Sequence, residues 1–214
     1  MQTGIFDGRV QVKYSYGRWG YTRGGGKTWH GGIDLVGLDD SYIRMPYFDG
    51  KQITGTVTRA RIVTDKSNKT WEWGYYVCVQ LDAKQTPDPV NYLYFCHCEK
   101  LLVEVGQKVK SGDVLAVMGN TGNAAGGYKH CHLEVRKTAT GKGVDPTKYA
   151  GVPNQMGTYG TSVDTTPPVS VPADTRLQVI TVGPISRGDA DAIYKLCTER
   201  QLVSMGLYKS EYVS

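Results

Sequence analysis

The sequence is short of histidine, phenylalanine and long apolar runs, and each shortage excludes something. Nowhere in its 214 residues do apolar side chains continue for the roughly 18 positions that a membrane-spanning helix needs. The opening MQTGIFDGRVQV has no apolar core of a secretory leader, which predicts a chain synthesised in the cytoplasm without a signal peptide. The five cysteines, Cys78, Cys96, Cys98, Cys131 and Cys197, are odd in number and lack CxxC spacing. That excludes a complete disulfide framework and argues against a zinc ribbon. Lys and Arg number 25 against 20 Asp and Glu, a net charge of +5 spread without a long basic run, so charge gives no reason to expect nucleic acid as a partner. What is present is turn and strand material. Twenty-seven glycines and 15 tyrosines, within a chain that is 40% hydrophobic, predict a folded, mainly β protein.

Up to about residue 152 the chain alternates strand-like runs with Gly, Asp and Ser turns: QITGTVTRARIV, YYVCVQL, NYLYFCH, VEVGQKVKSGDVLAVMG and CHLEVRK. This predicts a small antiparallel β-domain over residues 1–152. Residues 153–175 are rich in Pro, Thr, Ser and Gly and poor in large apolar side chains, which predicts a linker. Over 176–214 order returns as a β-α-β pattern. RLQVITVGPI alternates as a strand, Ser186 and Asp189 have capping-box spacing, and Ala190, Ile193, Leu196 and Cys197 recur at helical intervals. Forty residues are near the lower limit for independent folding, so this unit is expected to pack on a partner, on another copy or on the main domain.

All four histidines fall in three segments: WHGGIDLVG with His30 and Asp34, YFCHCEKL with His97, and HCHLEVR with His130 and His132. Residues two apart in a strand share a face, so His130 and His132 project together while Cys131 points away. Two imidazoles cannot complete a zinc site, but His30 and Asp34 could supply a further nitrogen and an oxygen. Three protein ligands and one open position describe a catalytic metal centre. A rival arrangement is a structural zinc on Cys96, Cys98 and Cys131. Regular alternation, however, would turn all three thiols away from the histidine faces and into a core.

His30-Gly31-Gly32-Ile33-Asp34 resembles the HxGxD motif of the lysostaphin-type (LytM-like, M23) zinc endopeptidases, and HCHLEVR is similar to their HLHFEVR segment. FCHCEKL, VEVGQKVKSGDVLAVMGNTGNAAGG and GKGVDP come in the order that family shows, so the resemblance covers roughly residues 18–150. It implies that His30, Asp34 and His132 bind one Zn²⁺ and that His130 and His97 stay off the metal, His130 moving the proton and His97 supporting. The implied substrate is the peptide part of bacterial peptidoglycan. With no secretory leader, a Pro/Thr linker and an appended unit, the implied setting is a phage or prophage endolysin that acts at the wall after release, its 176–214 unit a wall-binding or oligomerising module.

Three further expectations concern the surroundings of the site. Glu134 shares the histidine face and could orient a ligand. The GNTGNAAGG loop, and with it Trp71, Trp73, Tyr75 and Tyr76, could line a groove beside His130. Tyr21 is a candidate for assisting the oxyanion. Two other functions fit the same fold: a non-catalytic wall-binding or activator protein, which would lack part of the ligand set, and a metallopeptidase acting on a bacteriocin or other protein.

Overall fold

Short alternating segments separated by tight turns can hide their apolar faces only by lying side by side, and in the computed structural model they do so. The structure describes residues 4–162 and the single position Ile193. The strands among the described residues are β1 (Val10–Val12), β2 (Gly20–Arg23), β3 (Thr28–His30), β4 (Ile33–Gly37), β5 (Tyr42–Arg44), β6 (Thr54–Arg61) and β7 (Tyr75–Leu81). They continue with β8 (Tyr92–Cys98), β9 (Lys100–Leu101), β10 (Lys108–Lys110), β11 (Val114–Val117), β12 (Cys131–Arg136), β13 (Gly143–Val144) and β14 (Gly157–Tyr159). A four-residue helix, Thr147–Ala150, comes after β13.

The main sheet runs β10-β6-β7-β8-β12-β4-β1-β14, with β13 also on β12, and β5-β11-β9 and the β2-β3 hairpin form two smaller sheets. Every pairing is antiparallel. The domain is therefore mainly antiparallel β, as its composition predicts. One face of the sheet carries the principal core, which includes Ile33, Leu35, Phe95, Leu115, Cys131 and Leu133, all shielded from water. Each large apolar side chain among them contributes about 1.5–3 kcal/mol by leaving solvent. A second cluster holds Tyr76, Cys78, Tyr94 and Cys96, with Trp71 and Trp73 packed against it.

Two features depart from the regular pattern. Between the register pairs Tyr75–Cys98 and Val77–Phe95, one β7 residue opposes two on β8, which is a β-bulge. His97 sits in it with φ 64°, a left-handed backbone that costs a non-glycine residue about 1–3 kcal/mol. Alternation consequently breaks at His97. Cys98 turns into the principal core, whereas Cys96 lies opposite His132 in register and joins the second cluster. The expectation that all three thiols face away from the histidines thus holds for Cys131 but fails for Cys96.

The second departure concerns residues 153–162, whose composition predicts the start of a linker. Here β14 pairs with β1, and the Asn154 side chain both accepts from the Trp19 N–H at 2.8 Å and donates to its carbonyl at 2.9 Å. In this Gly- and Thr-rich stretch Tyr159 packs against the principal core, and the backbone satisfies an otherwise open sheet edge. The rest of the linker, residues 163–175, and the β-α-β unit over 176–214 lie outside the described residues, Ile193 apart. No helix among the described residues is long and apolar enough to cross a membrane.

Candidate metal centre and cleft

Sheet register builds the centre. β12 lies between β8 and β4, and His132 is opposite Asp34 on one side and Cys96 on the other. Asp34 and His132 are therefore cross-strand neighbours on one face, a position fixed by the ladder. His30 ends β3, and Gly31-Gly32 lead directly into β4. Neither glycine has positive φ; their use is close approach. A Cβ on Gly32 would collide with the Leu133 carbonyl oxygen and lie 2.9 Å from the His132 ring, and one on Gly31 would lie 2.9 Å from a Glu134 carboxylate oxygen.

Three donor atoms converge. His132 Nδ1 is 2.9 Å from Asp34 Oδ1 and 2.9 Å from His30 Nε2, and His30 Nε2 is 3.2 Å from Asp34 Oδ1. All three residues are buried, with His30 and Asp34 each only 2% exposed. Among the described residues, this is the group of metal-ligating side chains whose donor atoms come together. Ligand atoms placed tetrahedrally 2.0–2.1 Å from a zinc ion stand roughly 3.3 Å apart, so the spacing suits such an ion with a small relaxation.

The outer nitrogens sharpen this fit. A carbonyl oxygen can only accept, so each ring nitrogen bonded to one must carry the hydrogen. His30 Nδ1 donates to Arg18 O at 2.8 Å, His97 Nδ1 to Thr121 O at 2.9 Å, and His130 Nδ1 to Tyr128 O at 3.1 Å. In the neutral form of each ring, Nε2 is then left as a lone pair. His132 is reversed, with its Nε2 facing Glu134 Oε2 at 3.5 Å and its Nδ1 facing the centre. The His30 lone pair, the Asp34 carboxylate and His132 Nδ1 thus face one another in a dry pocket, which holds together only with a proton on His132 Nδ1 or a cation in its place.

The charges reflect this geometry. Burial works to raise the Asp34 carboxyl, but hydrogen bonds from His132 and His30 outweigh it and hold the group well below the usual carboxylate range. Burial works to lower His132, yet Asp34 and Glu134 together bring it up to about 9. Burial opposes the charge on Glu134 as well, but His132 and Arg136 draw it down to about 2. Arg136 Nε donates to Glu134 Oε1 at 2.8 Å, and the guanidinium lies over the rings of Trp73 and Tyr94. Burial pushes the imidazoles of His30, His97 and His130 down, His97 to about 3 with help from the neighbouring His132 and His130.

A cleft of about 500 Å³ opens over the centre, lined by Tyr16, Arg23, Asp34, His97, Tyr128 and His130 and by Asn123, Ala124 and Gly127 of the Gly-rich loop. His97 and His130 thus stand beside the donor set, their ring centroids 4.9 Å apart, and His130 Nε2 is 3.8 Å from Asp34 Oδ1. The Gly-rich loop forms a wall as its composition suggests. Trp71, Trp73, Tyr75 and Tyr76 do not line the cleft; Trp71, Trp73 and Tyr76 belong to the second cluster, and Tyr75 packs against the principal core. Tyr21 is 63% exposed and packs edge-on against Trp29. The tyrosines lining the cleft are Tyr16 and Tyr128; Tyr128 stacks on His130 at 4.5 Å, and its place between the loop and His130 is the signal that could have found it. Arg23 is also new: its Nη2 donates to Asp34 Oδ2 at 3.1 Å.

An antiparallel sheet that brings two imidazole nitrogens and a carboxylate to one buried point beneath an open cleft has the makings of a metal-assisted hydrolase. Residues 48–146 match Peptidase family M23, which makes this stretch of the chain an M23 peptidase domain. The matched stretch carries His97, His130 and His132, while His30 and Asp34 precede it and join through the sheet. Among solved structures, the chain is similar to the catalytic domain of the antimicrobial peptidase lysostaphin from Staphylococcus simulans, with 20% identity, 64% of this chain and 90% of that one covered, and a TM-score of 0.46. It is likewise similar to the catalytic domain of the prophage-encoded M23 protein EnpA from Enterococcus faecalis, with 23% identity, coverage of 66% and 92%, and a TM-score of 0.48. A zinc-containing peptidase from Vibrio cholerae matches at 23% identity over 59% of this chain and 32% of that one, with a TM-score of 0.39.

Proposed function

We propose that this peptidase is a zinc-dependent endopeptidase that cuts peptide bonds of bacterial peptidoglycan, in the setting of a phage or prophage endolysin. The observation that carries the zinc reading is the convergence of three electron-pair donors, His30 Nε2, Asp34 Oδ1 and His132 Nδ1, with their outer atoms tied to Arg18, Arg23 and Glu134. Family membership and the motif resemblance support the wall substrate. The complete ligand set favours catalysis over a purely binding role.

Zinc held by these three residues would supply Lewis acidity at the scissile carbonyl and ease deprotonation of the attacking water. The remaining work belongs to the chain. His130 Nε2, kept unprotonated by its Nδ1–H bond to Tyr128 O, takes the water proton and returns it to the leaving amine. His97, fixed by Thr121 O, presents a second acceptor to the same cleft and orients the water. Arg23 holds Oδ2 of Asp34 and keeps the carboxylate turned toward the imidazoles. The Gly-rich loop gives an extended peptide close access to backbone.

Metal analysis and lysis of purified sacculi on the same preparations test this reading. His132→Ala should lose stoichiometric zinc and all turnover, whereas His130→Ala should keep zinc and lose turnover by about 10²-fold or more, on the order expected for removal of a general base. Chelation should stop the turbidity loss of wall suspensions and added zinc should restore it. Lysis that continues in chelator, or zinc retained by His132→Ala, would defeat the proposal.

A further inference from the structure

Beside the metal centre, the cleft carries positive charge that peptide hydrolysis at the zinc does not consume. The Arg23 guanidinium has five N–H groups; one from Nη2 goes to Asp34 Oδ2 and the one on Nε goes to Tyr16 O at 3.2 Å. Among the described residues, Nη1 has no acceptor, and the side chain is 38% exposed within the cleft lining. Lys13 is exposed and has no ion-pair partner among the described residues. Its Nζ lies over the rings of Tyr14 and Tyr128, at 5.2 and 5.3 Å from their centroids. Tyr14 in turn stacks on Tyr16 at 5.0 Å and meets Tyr128 edge-on at 5.1 Å.

These contacts make one surface. Tyr16, Tyr14 and Tyr128 form an aromatic shelf running up to His130, with Arg23 and Lys13 at its borders. The acidic side chain lining the cleft is Asp34, already engaged by His132, His30 and Arg23. A peptide in the cleft therefore meets the Arg23 guanidinium and an already engaged carboxylate, and one that leaves it over Tyr128 and Tyr14 meets the Lys13 ammonium. Through Tyr128, Lys13 Nζ lies within about 10 Å of the His130 ring, no more than about three residues of extended chain.

We infer that the cleft selects peptides bearing a free carboxylate within about three residues of the cut bond, received by Lys13 and the uncommitted N–H groups of Arg23. This deepens the peptidase reading and rests on it. The ligand chemistry is that of an acidic peptide, and the tyrosine shelf gives its backbone an apolar seat without demanding a particular neutral side chain.

The test uses the full chain with zinc and two soluble wall stem peptides, identical except that the glutamate carboxylate is free in one and a carboxamide in the other. The free acid should show a KM about fivefold lower with little change in kcat, and the difference should shrink as salt rises from about 0.05 to about 0.5 M. Lys13→Gln should erase most of the difference and leave cleavage of the carboxamide peptide unchanged, because Lys13 touches none of the reacting groups. Equal KM values for the two peptides, or a preference that survives Lys13→Gln intact, would overturn the inference. If neither peptide is cut, the peptidase reading fails on that substrate. Calorimetric binding of the same pair to the same protein then decides whether the carboxylate is recognised, with tighter binding of the free acid supporting the inference and equal affinity overturning it.

Discussion

At the scale of single residues, His97 combines several unfavourable features. Its backbone is left-handed, its ring is buried and its Nδ1–H is tied to Thr121 O. Burial and the neighbouring imidazoles depress its pKa from 6.5 to about 3, so the folded protein resists a proton that the unfolded chain accepts readily. This contribution to stability is therefore complete above pH 6.5 and is lost as pH falls toward about 3. Thermal unfolding of metal-free protein should accordingly show a falling midpoint from about pH 6.5 downward. His97→Asn, which tolerates the left-handed backbone and can still donate to Thr121 O, should flatten that fall. His132 behaves oppositely, since its pKa is raised to about 9 by two carboxylates; its contribution is complete below 6.5 and fades as pH rises through 9.

At the scale of elements, strands β4 and β12 carry the centre and the glycines between them set its tolerances. Gly32→Ala would drive a methyl group into the Leu133 carbonyl and the His132 ring, and Gly143, whose Cβ would collide with Gly31 O, is equally confined. Gly32→Ala should lower metal affinity at least about tenfold, read by competition with a chelating dye, and should destabilise the domain by about 1–3 kcal/mol in denaturant unfolding. The HxH spacing and the short Gly-bounded runs made β12, its His132 and the preceding His130 legible in the sequence, because extended backbone alternates its side chains. The same rule misplaced Cys96, since a bulge obeys no sequence period, and it could not reveal Arg23 or Tyr128. Those two reach the centre across the β2-β3 hairpin and the Gly-rich loop, contacts that depend on how loops fold over a sheet. Gly24, Gly25 and Gly26 all have positive φ at the tip of that hairpin, which explains a three-glycine run that carries no chemistry of its own.

At the scale of the whole molecule, residues 4–162 contain their own core and the complete donor set, so the M23 domain should work on small substrates without the C-terminal residues. Removing residues 176–214 should reduce co-sedimentation with purified sacculi while leaving cleavage of a soluble peptide close to that of the full chain. Equal loss of both would give the C-terminal unit a structural role instead. Zinc added to the metal-free full chain should raise the unfolding midpoint in a concentration-dependent way, by about 2.7 kcal/mol of stability at about 100 times Kd, because an ion that binds only the folded state draws the equilibrium toward it.

The donors of His30 and His132 are separated by 102 positions along the chain yet lie 2.9 Å apart in space. During translation, the growing polypeptide therefore owns no complete set of ligands until β12 has left the ribosome and zipped onto β4. Capture of the proposed zinc would wait for that pairing, and metal content would then report correct strand register.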